Sequence, residues 1–544
     1  YGDHRDLHSF PTRRSSDLED NTMSKLKKLL SAAVGGILAV NLISMLPVGA
    51  EENACSEGVI LNSTLGINNI FENPGDIPTT TASVPSSVDL STSPCFPPIG
   101  DQGRLSSCVA FATTYYQYSY EVNKLNNVTN VSDRVIYSPK WIYNLLNNGE
   151  YHGLCPIDAY STLETLGSLK NSDFPYTDNY TEWPSQLQNE KIEALETRVE
   201  NTAKYDIPLD NTIQNVNDPY LNIVKQMLNN GKVLTVVSHN RWNSVVQNGE
   251  SLAFRCYQGG SHMLTVVGYD DNKSYDVNGN GIIEDCEKGA FKIANSWGTS
   301  FVSSGISSNT GYFWVMYDAL NKVSANNVND WEAKYSGTRS PAFNLLPDCE
   351  NAFFTIDVAH KNVNFVGRLS VNTSDRETLT LKINRGTSTL WSHNNAYTIF
   401  PYVSSNSGGF AFNGDIFFDY DNLASPISRY CNGYNWFTYL SGTTMGDDYE
   451  FNVLDNLGNE IGTDKQLIKF DEDKFAYAYQ NISLKKGDVN YDGAITTADV
   501  DYIIQYILQV NDLSNVQYYL ADYNNDGSAN SADVIAMRRD NNLY

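Results

Sequence analysis

At 544 residues and 60.6 kDa, the chain is too long for a single hydrophobic core, and its length predicts roughly three or four domains. It is acidic, with a formal net charge of -26 at pH 7 and a pI near 4.6, while only 18% of its residues are charged. A surface of this sign repels nucleic-acid backbones and anionic lipid, so we exclude nucleic acid as a partner.

The N-terminal 50 residues are predicted not to belong to the folded protein. Residues 1–22 contain HSFPTRRSSDL, which looks like a translated sequencing-library adapter, and we interpret them as an assembly artefact rather than a twin-arginine export signal. Residues 23–50 begin with Met and three nearby lysines, continue with an apolar stretch and end in the small residues VGA. This pattern predicts a cleaved signal peptide and a secreted chain without a membrane span, the alternative being an uncleaved anchor.

Four segments follow, each with its own composition and hydrophobic pattern. Residues 51–83 are polar and rich in Thr and Asn, which predicts a linker or short pro-segment. In residues 84–338, helix-like runs such as CVAFATTYYQYSYEVNKL precede strand-like runs such as HMLTVVGYD and AFKIAN, an order that predicts an α+β domain. Residues 339–484 alternate in short segments, including FFTIDV and RLSV, between Asn-, Gly- and Asp-rich turns, which predicts an all-β, sandwich-like accessory domain. Residues 485–544 contain an internal repeat and predict a small all-α unit.

Within the α+β domain, the stretch DQGRLSSCVAF is the first candidate for chemistry. A free thiol titrates near ~8.5, so a nucleophilic cysteine needs a helix N-terminus or a neighbouring imidazolium to form its thiolate. The helix-like run starts at Cys108 itself, and Gln102 lies upstream after a turn-forming Gly-Asp. The Gln102 amide and the Cys108 backbone N–H are therefore candidate donors to an oxyanion.

A base and a residue that orients it are expected later in the chain. His262 opens the strand-like run HMLTVVGYD, whose alternating apolar residues would bury the strand and leave the imidazole at its rim. Asn295 follows the next strand-like run in FKIANSWG, where Trp297 could shield an Asn–His hydrogen bond from water. An amide oxygen there would fix the tautomer of the imidazole, completing a set of nucleophile, base and orienter.

The order Gln, Cys, His, Asn, with the motifs GSHMLTVVGYD and KIANSWG, resembles the papain-like (C1 family) cysteine peptidases. The resemblance implies that Gln102 is the oxyanion donor, Cys108 the nucleophile, His262 the general base and acid, and Asn295 the orienter. It implies a helical left domain with Cys108, a β-barrel-like right domain with His262 and Asn295, and an extended protein or peptide substrate between them. It also implies acyl-enzyme hydrolysis without a catalytic cofactor.

Two departures from that family's pattern leave other functions open. The chain has LSSCV where the family usually has CGSCW, and it lacks the family's long helical pro-segment. The alternatives are a catalytically inactive peptidase-like binding module and a polysaccharide-binding accessory protein.

The C-terminal repeat, GDVNYDGAITTADV against ADYNNDGSANSADV, predicts two calcium loops. Oxygen donors recur at alternate positions of each copy, and a glycine occupies the sharp turn at position 6, as a loop wrapped around one hard cation requires. Because carboxylates gathered without a cation repel one another, metal binding and folding should be coupled. The predicted ligands are Asp488, Asn490, Asp492, Ala494 (backbone), Thr496 and Asp499, then Asp522, Asn524, Asp526, Ser528 (backbone), Asn530 and Asp533.

This tail resembles a type I dockerin, the module that docks secreted enzymes onto cohesin domains of a scaffoldin in cellulosomes of anaerobic bacteria. The resemblance implies a cohesin partner and an extracellular location, on a cell-surface or free cellulosome. A third match, DVNGNGIIEDCE, lies in the α+β domain and offers Asp276, Asn278, Asn280 and Glu287. It predicts either a third calcium site or a hydrated Asn-Gly hairpin turn.

Overall fold

A computed structural model of the chain describes a little over two thirds of its length. The described residues are 58–62, 84–326, 332–346, 349–373, 379–380, 385–387, 390–392, 412–420, 436–437, 441–442, 448–461, 464–470, 475–481 and 484–543. The predicted artefact and signal peptide lie outside them, as does most of the predicted linker. Among the described residues, no helix has the length and apolarity needed to cross a membrane.

The α-helices of the predicted peptidase range lie between residues 108 and 229. One continuous helix begins at Cys108–Ala110 (α1), passes through a π-helical stretch at Phe111–Tyr118 and ends at Ser119–Leu125 (α2). Three of the next four helices begin with a proline, and the Ser138 side chain accepts the N–H of Trp141 at the first of them. They are Pro139–Leu146 (α3), Pro156–Thr165 (α4), Gln188–Leu195 (α5) and Pro219–Asn229 (α6).

A nine-stranded sheet accompanies these helices. Its strands are Ser87–Asp89 (β1), Thr197–Asp206 (β2), Leu234–Gln247 (β3), Glu250–Ser274 (β4), Lys288–Ala294 (β5), Phe301–Ser303 (β6), Ile306–Ser308 (β7), Tyr312–Met316 (β8) and Ala352–His360 (β9). The main path runs β2-β9-β3-β4-β5-β8, with β1 and β7 also paired to β4. Helices and a mainly antiparallel sheet in one domain confirm the predicted α+β class.

Strand β9 lies inside the range predicted for the accessory domain, yet it pairs with the peptidase sheet. Its residues hydrogen-bond along the whole of β2, from Thr197 opposite His360 to Asp206 opposite Ala352. The apolar run FFTIDV thus completes the peptidase sheet, and its Phe354 is fully buried against the helices.

The accessory range contributes a small antiparallel sheet. Phe365–Thr373 (β10) is its central strand, flanked by Phe412–Asp419 (β14) and Asp448–Asp455 (β17). The other strands are Leu379–Thr380 (β11), Arg385–Thr387 (β12), Leu390–Ser392 (β13), Trp436–Phe437 (β15), Ser441–Gly442 (β16), Asp464–Phe470 (β18) and Phe475–Asn481 (β19). Strands β18 and β19 pair along their whole length, and the other pairings are short. Antiparallel pairing agrees with the all-β expectation, while the sandwich arrangement stays a prediction.

The C-terminal tail is helical and packs on the accessory sheet. Its helices are Thr497–Ile507 (α7), Asn515–Ala521 (α8) and Ser531–Asn541 (α9). Val516 and Leu520 of α8 join a core that includes Phe365 and Ile416 of the accessory sheet. The Tyr491 hydroxyl also donates to Asp455 over 3.0 Å. The tail and the accessory sheet therefore share a hydrophobic cluster, which also includes Leu145 and Leu166 of the peptidase helices, while the tail has a second cluster of its own.

Candidate active site and calcium loops

Cys108 is the first residue of helix α1 and is completely buried. Its position at a helix start favours a thiolate, because the unpaired N–H groups of the first turn point toward the sulfur. Burial nevertheless raises the pKa of the Cys108 thiol to about 12, despite lowering contributions from the backbone N–H groups of Met263, Val109 and Cys108 itself. Met263 directly follows His262, so the thiol and the histidine belong to the same site.

His262 and Asn295 meet because of the register of strands β4 and β5. Thr265 of β4 lies opposite Ala294, the last residue of β5, so the chain leaving β5 passes beside His262. The imidazole Nε2 lies 2.9 Å from the Asn295 Oδ1. The indole of Trp297 stacks on the imidazole with ring centroids 4.8 Å apart, and both His262 and Asn295 are buried.

Gln102 is held at the same site by the residue that follows Asn295. Its backbone N–H donates to the Ser296 carbonyl over 2.8 Å, and its side-chain Oε1 accepts the Ser296 hydroxyl over 2.5 Å. The Nε2 of Gln102 donates to the Leu105 carbonyl over 2.8 Å, which fixes the amide plane with Nε2 toward the cysteine loop. All four residues singled out in the sequence therefore lie at one buried site.

Two tyrosines connect these parts, and the sequence analysis did not single them out for this role. The Tyr176 hydroxyl lies 2.6 Å from Ser107 Oγ and donates to the Gln102 carbonyl, tying both sides of the cysteine loop together. The buried Tyr116 hydroxyl donates to the Asn295 carbonyl over 2.7 Å. Tyr116 lies two turns along the helix from Cys108, and this helical spacing is the only signal in the sequence that could have indicated it.

A short segment that we call the strap, residues 58–62, covers the thiol. A Cβ on Gly58 would lie 2.7 Å from the Cys108 Sγ and 2.9 Å from the Ser261 carbonyl oxygen, so the strap backbone touches the site directly. Val59 is fully buried in the core that contains Cys108 and Met263. The strap therefore explains why the sulfur is inaccessible and its pKa is high.

The two tail loops have matching hydrogen bonds that turn carboxylates inward. In the first loop, Asp488 accepts the N–H groups of Asp492 and Gly493, and Asp499 accepts those of Val489 and Asn490. In the second, Asp522 accepts the N–H groups of Asp526 and Gly527, and Asp533 accepts that of Asn524. The pattern comes from the repeat itself, since corresponding residues make corresponding bonds.

The first loop has the donors that a hard cation requires. Carboxylate oxygens of Asp488, Asp492 and Asp499 all lie within 4.8 Å of one another. Burial, followed by the charges of Asp499 and Asp492, raises the pKa of Asp488 to about 6. Gly493 adopts a φ of +87°, the conformation that the sharp turn at position 6 demands. These residues fit a calcium ion, and a cation would offset the repulsion among the three carboxylates.

The third match has the same hydrogen-bond pattern in a different setting. Asp276 accepts the N–H groups of Asn280 and Gly281, and Glu287 accepts those of Val277 and Asn278. Strands β4 and β5 flank this loop, whereas helices α7 and α9 follow the tail loops. Burial raises the pKa of Glu287 to about 7.

Comparison with protein-family models gives two matches. Residues 84–328 match the papain family cysteine protease model, and residues 486–540 match the dockerin type I domain model. A search of curated proteins found no match to the chain. The first match contains the four residues of the Cys108 site, and the second contains the two tail loops.

Several solved structures are similar to part of the chain. Xylellain from Xylella fastidiosa is 20% identical, with 55% of this chain and 95% of that chain covered and a TM-score of 0.35. Procathepsin L2 from Tenebrio molitor larval midgut is 15% identical (64% and 95% covered, TM-score 0.36), and bromelain from Ananas comosus is 14% identical (50% and 99% covered, TM-score 0.32). With TM-scores this low, these similarities carry no part of the argument below.

Proposed function

We propose that this chain, a papain-family cysteine peptidase with a type I dockerin, is a secreted endopeptidase that a calcium-dependent dockerin attaches to a cellulosome scaffoldin. The observation that carries the peptidase proposal is the 2.9 Å contact between His262 Nε2 and Asn295 Oδ1 beside a cysteine at a helix start. The dockerin proposal rests on the family match over residues 486–540 and on the inward-turned carboxylates of the first loop.

The proposed mechanism assigns one step to each group. Because Nε2 of His262 bonds Asn295, Nδ1 is the nitrogen that takes the thiol proton as Sγ of Cys108 attacks the scissile carbonyl carbon. The Cys108 N–H and the Gln102 amide stabilise the oxyanion. The imidazolium then protonates the leaving amine, which departs as a thioester forms. Water, deprotonated by the same imidazole, hydrolyses the thioester and returns the free thiol.

The test of this function is direct labelling. A thiol-directed epoxide should become covalently bound to Cys108, and peptide mapping would identify the labelled residue. The same protein should hydrolyse an unfolded protein substrate. The second candidate function, an inactive binding module, is favoured by the complete burial of the thiol under the strap. Protein that is neither labelled nor proteolytic after the strap is displaced would support that candidate.

Asn295→Ala should lower kcat by about 10²-fold, the lower end of what a positioned base contributes. Asn295→Ala removes the hydrogen bond that holds the imidazole with Nδ1 toward the sulfur, whereas substrate contacts are unchanged. Steady-state kinetics should therefore show a fall in kcat with little change in KM. Asn272→Ala, at an exposed position of strand β4, is the matched control and should leave both constants unchanged.

Gly58→Ala should increase the rate of Cys108 labelling. The Cβ of an alanine at position 58 would clash with the Cys108 Sγ and the Ser261 carbonyl, and the φ of +76° at this position is strained for alanine. The strap must therefore move away from the thiol. Gly231→Ala, with a φ of +75° and no contact to its Cβ shorter than 3.8 Å, controls for backbone strain alone. Equal labelling of wild type and Gly58→Ala would contradict a strap that closes the site.

We further propose calcium at all three loops. The ligands are those predicted for the two dockerin loops, with Asp276, Asn278, Asn280 and Glu287 at the third. The like pattern of hydrogen bonds in the three loops supports this assignment, and flow dialysis with ⁴⁵Ca²⁺ on the full chain, with and without Glu287→Ala, would count the sites.

In this proposal the signal peptide exports the chain from an anaerobic bacterium, residues 51–83 act as a short pro-segment, and the complex breaks down polysaccharide around the peptidase.

A further inference from the structure

A cavity of about 280 Å³ lies beside helix α5, with residues of that helix and the last residue of strand β9 in its wall. Its volume is at the lower end of those that hold small-molecule ligands. None of the four residues of the Cys108 site lines it, so the cavity is separate from that site. Four acidic residues line the cavity together with one lysine and one histidine, and these are Asp173, Glu190, Glu193, Glu196, Lys170 and His360.

The lysine in the wall leaves Glu190 and Glu196 without an ion pair. Lys170 Nζ pairs instead with Glu193 Oε1 over 2.6 Å. Glu190 and Glu196 are half-buried, and their carboxylates make no hydrogen bond or ion pair within the described part of the chain. Burial, followed by the charge of Glu193, raises the pKa of Glu196, although His360 acts in the opposite direction. A cation bound beside these carboxylates would offset the cost of holding them together.

The wall of the cavity also carries a tyrosine hydroxyl without a partner. Tyr137 is only 8% exposed, and among the described residues its hydroxyl has no hydrogen-bond partner. Its ring packs edge-on against that of Tyr118, with centroids 4.8 Å apart, and both rings line the cavity. The Tyr118 hydroxyl is already used, since it donates to the Thr197 carbonyl. Because a buried polar group is normally hydrogen-bonded, the Tyr137 hydroxyl indicates a ligand that bonds it.

The placement of the carboxylates distinguishes the kind of cation. A calcium loop wraps alternating oxygen donors of one short segment around a single point. The cavity carboxylates come instead from helix α5, its C-terminal end and the distant Asp173, and no three of them converge as those of the first dockerin loop do. An alkylammonium group suits this setting better than a metal ion, because it offers three N–H donors and an apolar stem to separated carboxylates, a hydroxyl and aromatic rings.

We propose that this cavity binds alkylammonium groups, carried by a free aliphatic polyamine or by lysine side chains of a protein. Glu190 and Glu196 supply the counter-charges, the Tyr137 hydroxyl accepts a hydrogen bond from an ammonium, and the tyrosine rings cover the alkyl chain. The site is independent of the proposed peptidase function, because it shares no residue with the Cys108 site. The net charge of -26 attracts cations to the whole chain, so the experiment must separate the cavity from this general attraction.

The experiment is isothermal titration calorimetry of the full chain with spermidine, in saturating Ca²⁺ so that the acidic calcium loops do not compete. The paired variant Glu190→Gln/Glu196→Gln keeps the side-chain shapes and should weaken binding by at least about tenfold. Tyr137→Phe should weaken it about tenfold, the effect of one hydrogen bond to a charged group. The control variant Asp210→Asn/Asp501→Asn removes the same net charge from two exposed positions and should bind as wild type does.

The same titration with Nα-acetyl-lysine methylamide identifies the source of the ammonium, since tighter binding than that of spermidine would indicate a lysine side chain. Equal affinity of the paired and control variants for spermidine would show general attraction and overturn the site, as would no binding by wild type. Displacement of spermidine by an equal concentration of Mg²⁺ would assign a metal site and overturn it too.

Hydrogen–deuterium exchange gives a second measurement on the same proteins. Spermidine should slow exchange of a peptide covering helix α5 in wild type and in the control variant, but not in the paired variant. Protection of the nine-stranded sheet in every variant checks that each one is folded. Exchange in helix α5 of wild type that spermidine does not change would overturn the proposal.

Discussion

Cys108→Ala is expected to abolish peptidase activity, with a loss of at least about 10⁴-fold in kcat. The sulfur forms the covalent intermediate, so the remaining imidazole and oxyanion donors have no acyl group to stabilise or transfer. His262→Ala should lose activity to a similar extent, because the thiol then has no proton acceptor. The measurement is hydrolysis of a fluorogenic peptide, with active-site titration to count competent molecules.

The control for Cys108→Ala is Cys95→Ala. Cys95 is also a buried thiol, but it donates to the Val128 carbonyl and packs in a different core cluster from Cys108. Cys95→Ala should therefore retain full peptidase activity, and the epoxide should still label Cys108 in this variant. Peptidase activity that survives in Cys108→Ala, after removal of any contaminating protease, would eliminate the proposed nucleophile.

The chemistry-bearing residues could be identified from sequence because each lies in its own local pattern. Cys108 precedes an apolar helical run, and His262 opens a strand of alternating apolar residues. Asn295 follows the last residue of β5, and pairing of β4 with β5 brings it beside His262. Local patterns of this kind predict the element and its end, and the fold then brings the ends together.

The strap and strand β9 could not be predicted in the same way. Residues 58–62, GVILN, contain only three consecutive apolar residues, too few to show a helical or strand period. Val59 is buried through contacts with Leu154 and Ser261, far away in sequence. The pattern of FFTIDV predicts a strand, and the structure has one there. Alternation does not specify the partner of a strand, however, and this run pairs with β2 of the peptidase sheet. Long-range pairing is decided by tertiary packing rather than by local preference.

The calcium loops show how a repeat converts a weak signal into a testable site. Asp499 is fully buried and accepts N–H groups from Val489, Asn490 and Thr496, which closes the first loop onto helix α7. Tyr491, inside that loop, donates to Asp455 of the accessory sheet. Loss of the loop geometry should therefore loosen the dockerin from the accessory sheet, while the peptidase sheet has no residue in the loop.

Removal of calcium is expected to unfold the dockerin and leave the peptidase active. Binding at about 100 times Kd stabilises a fold by about 2.7 kcal/mol, a large fraction of what a unit of this size has. In hydrogen–deuterium exchange of the full chain, a chelator should raise exchange across residues 485–543 and leave the nine-stranded sheet protected, and added Ca²⁺ should restore protection. Asp499→Ala should exchange rapidly even with Ca²⁺, whereas Asp501→Ala, exposed on the same helix, should behave as wild type. Protection of the tail that is equal in chelator and in Ca²⁺ would refute the calcium assignment at both dockerin loops.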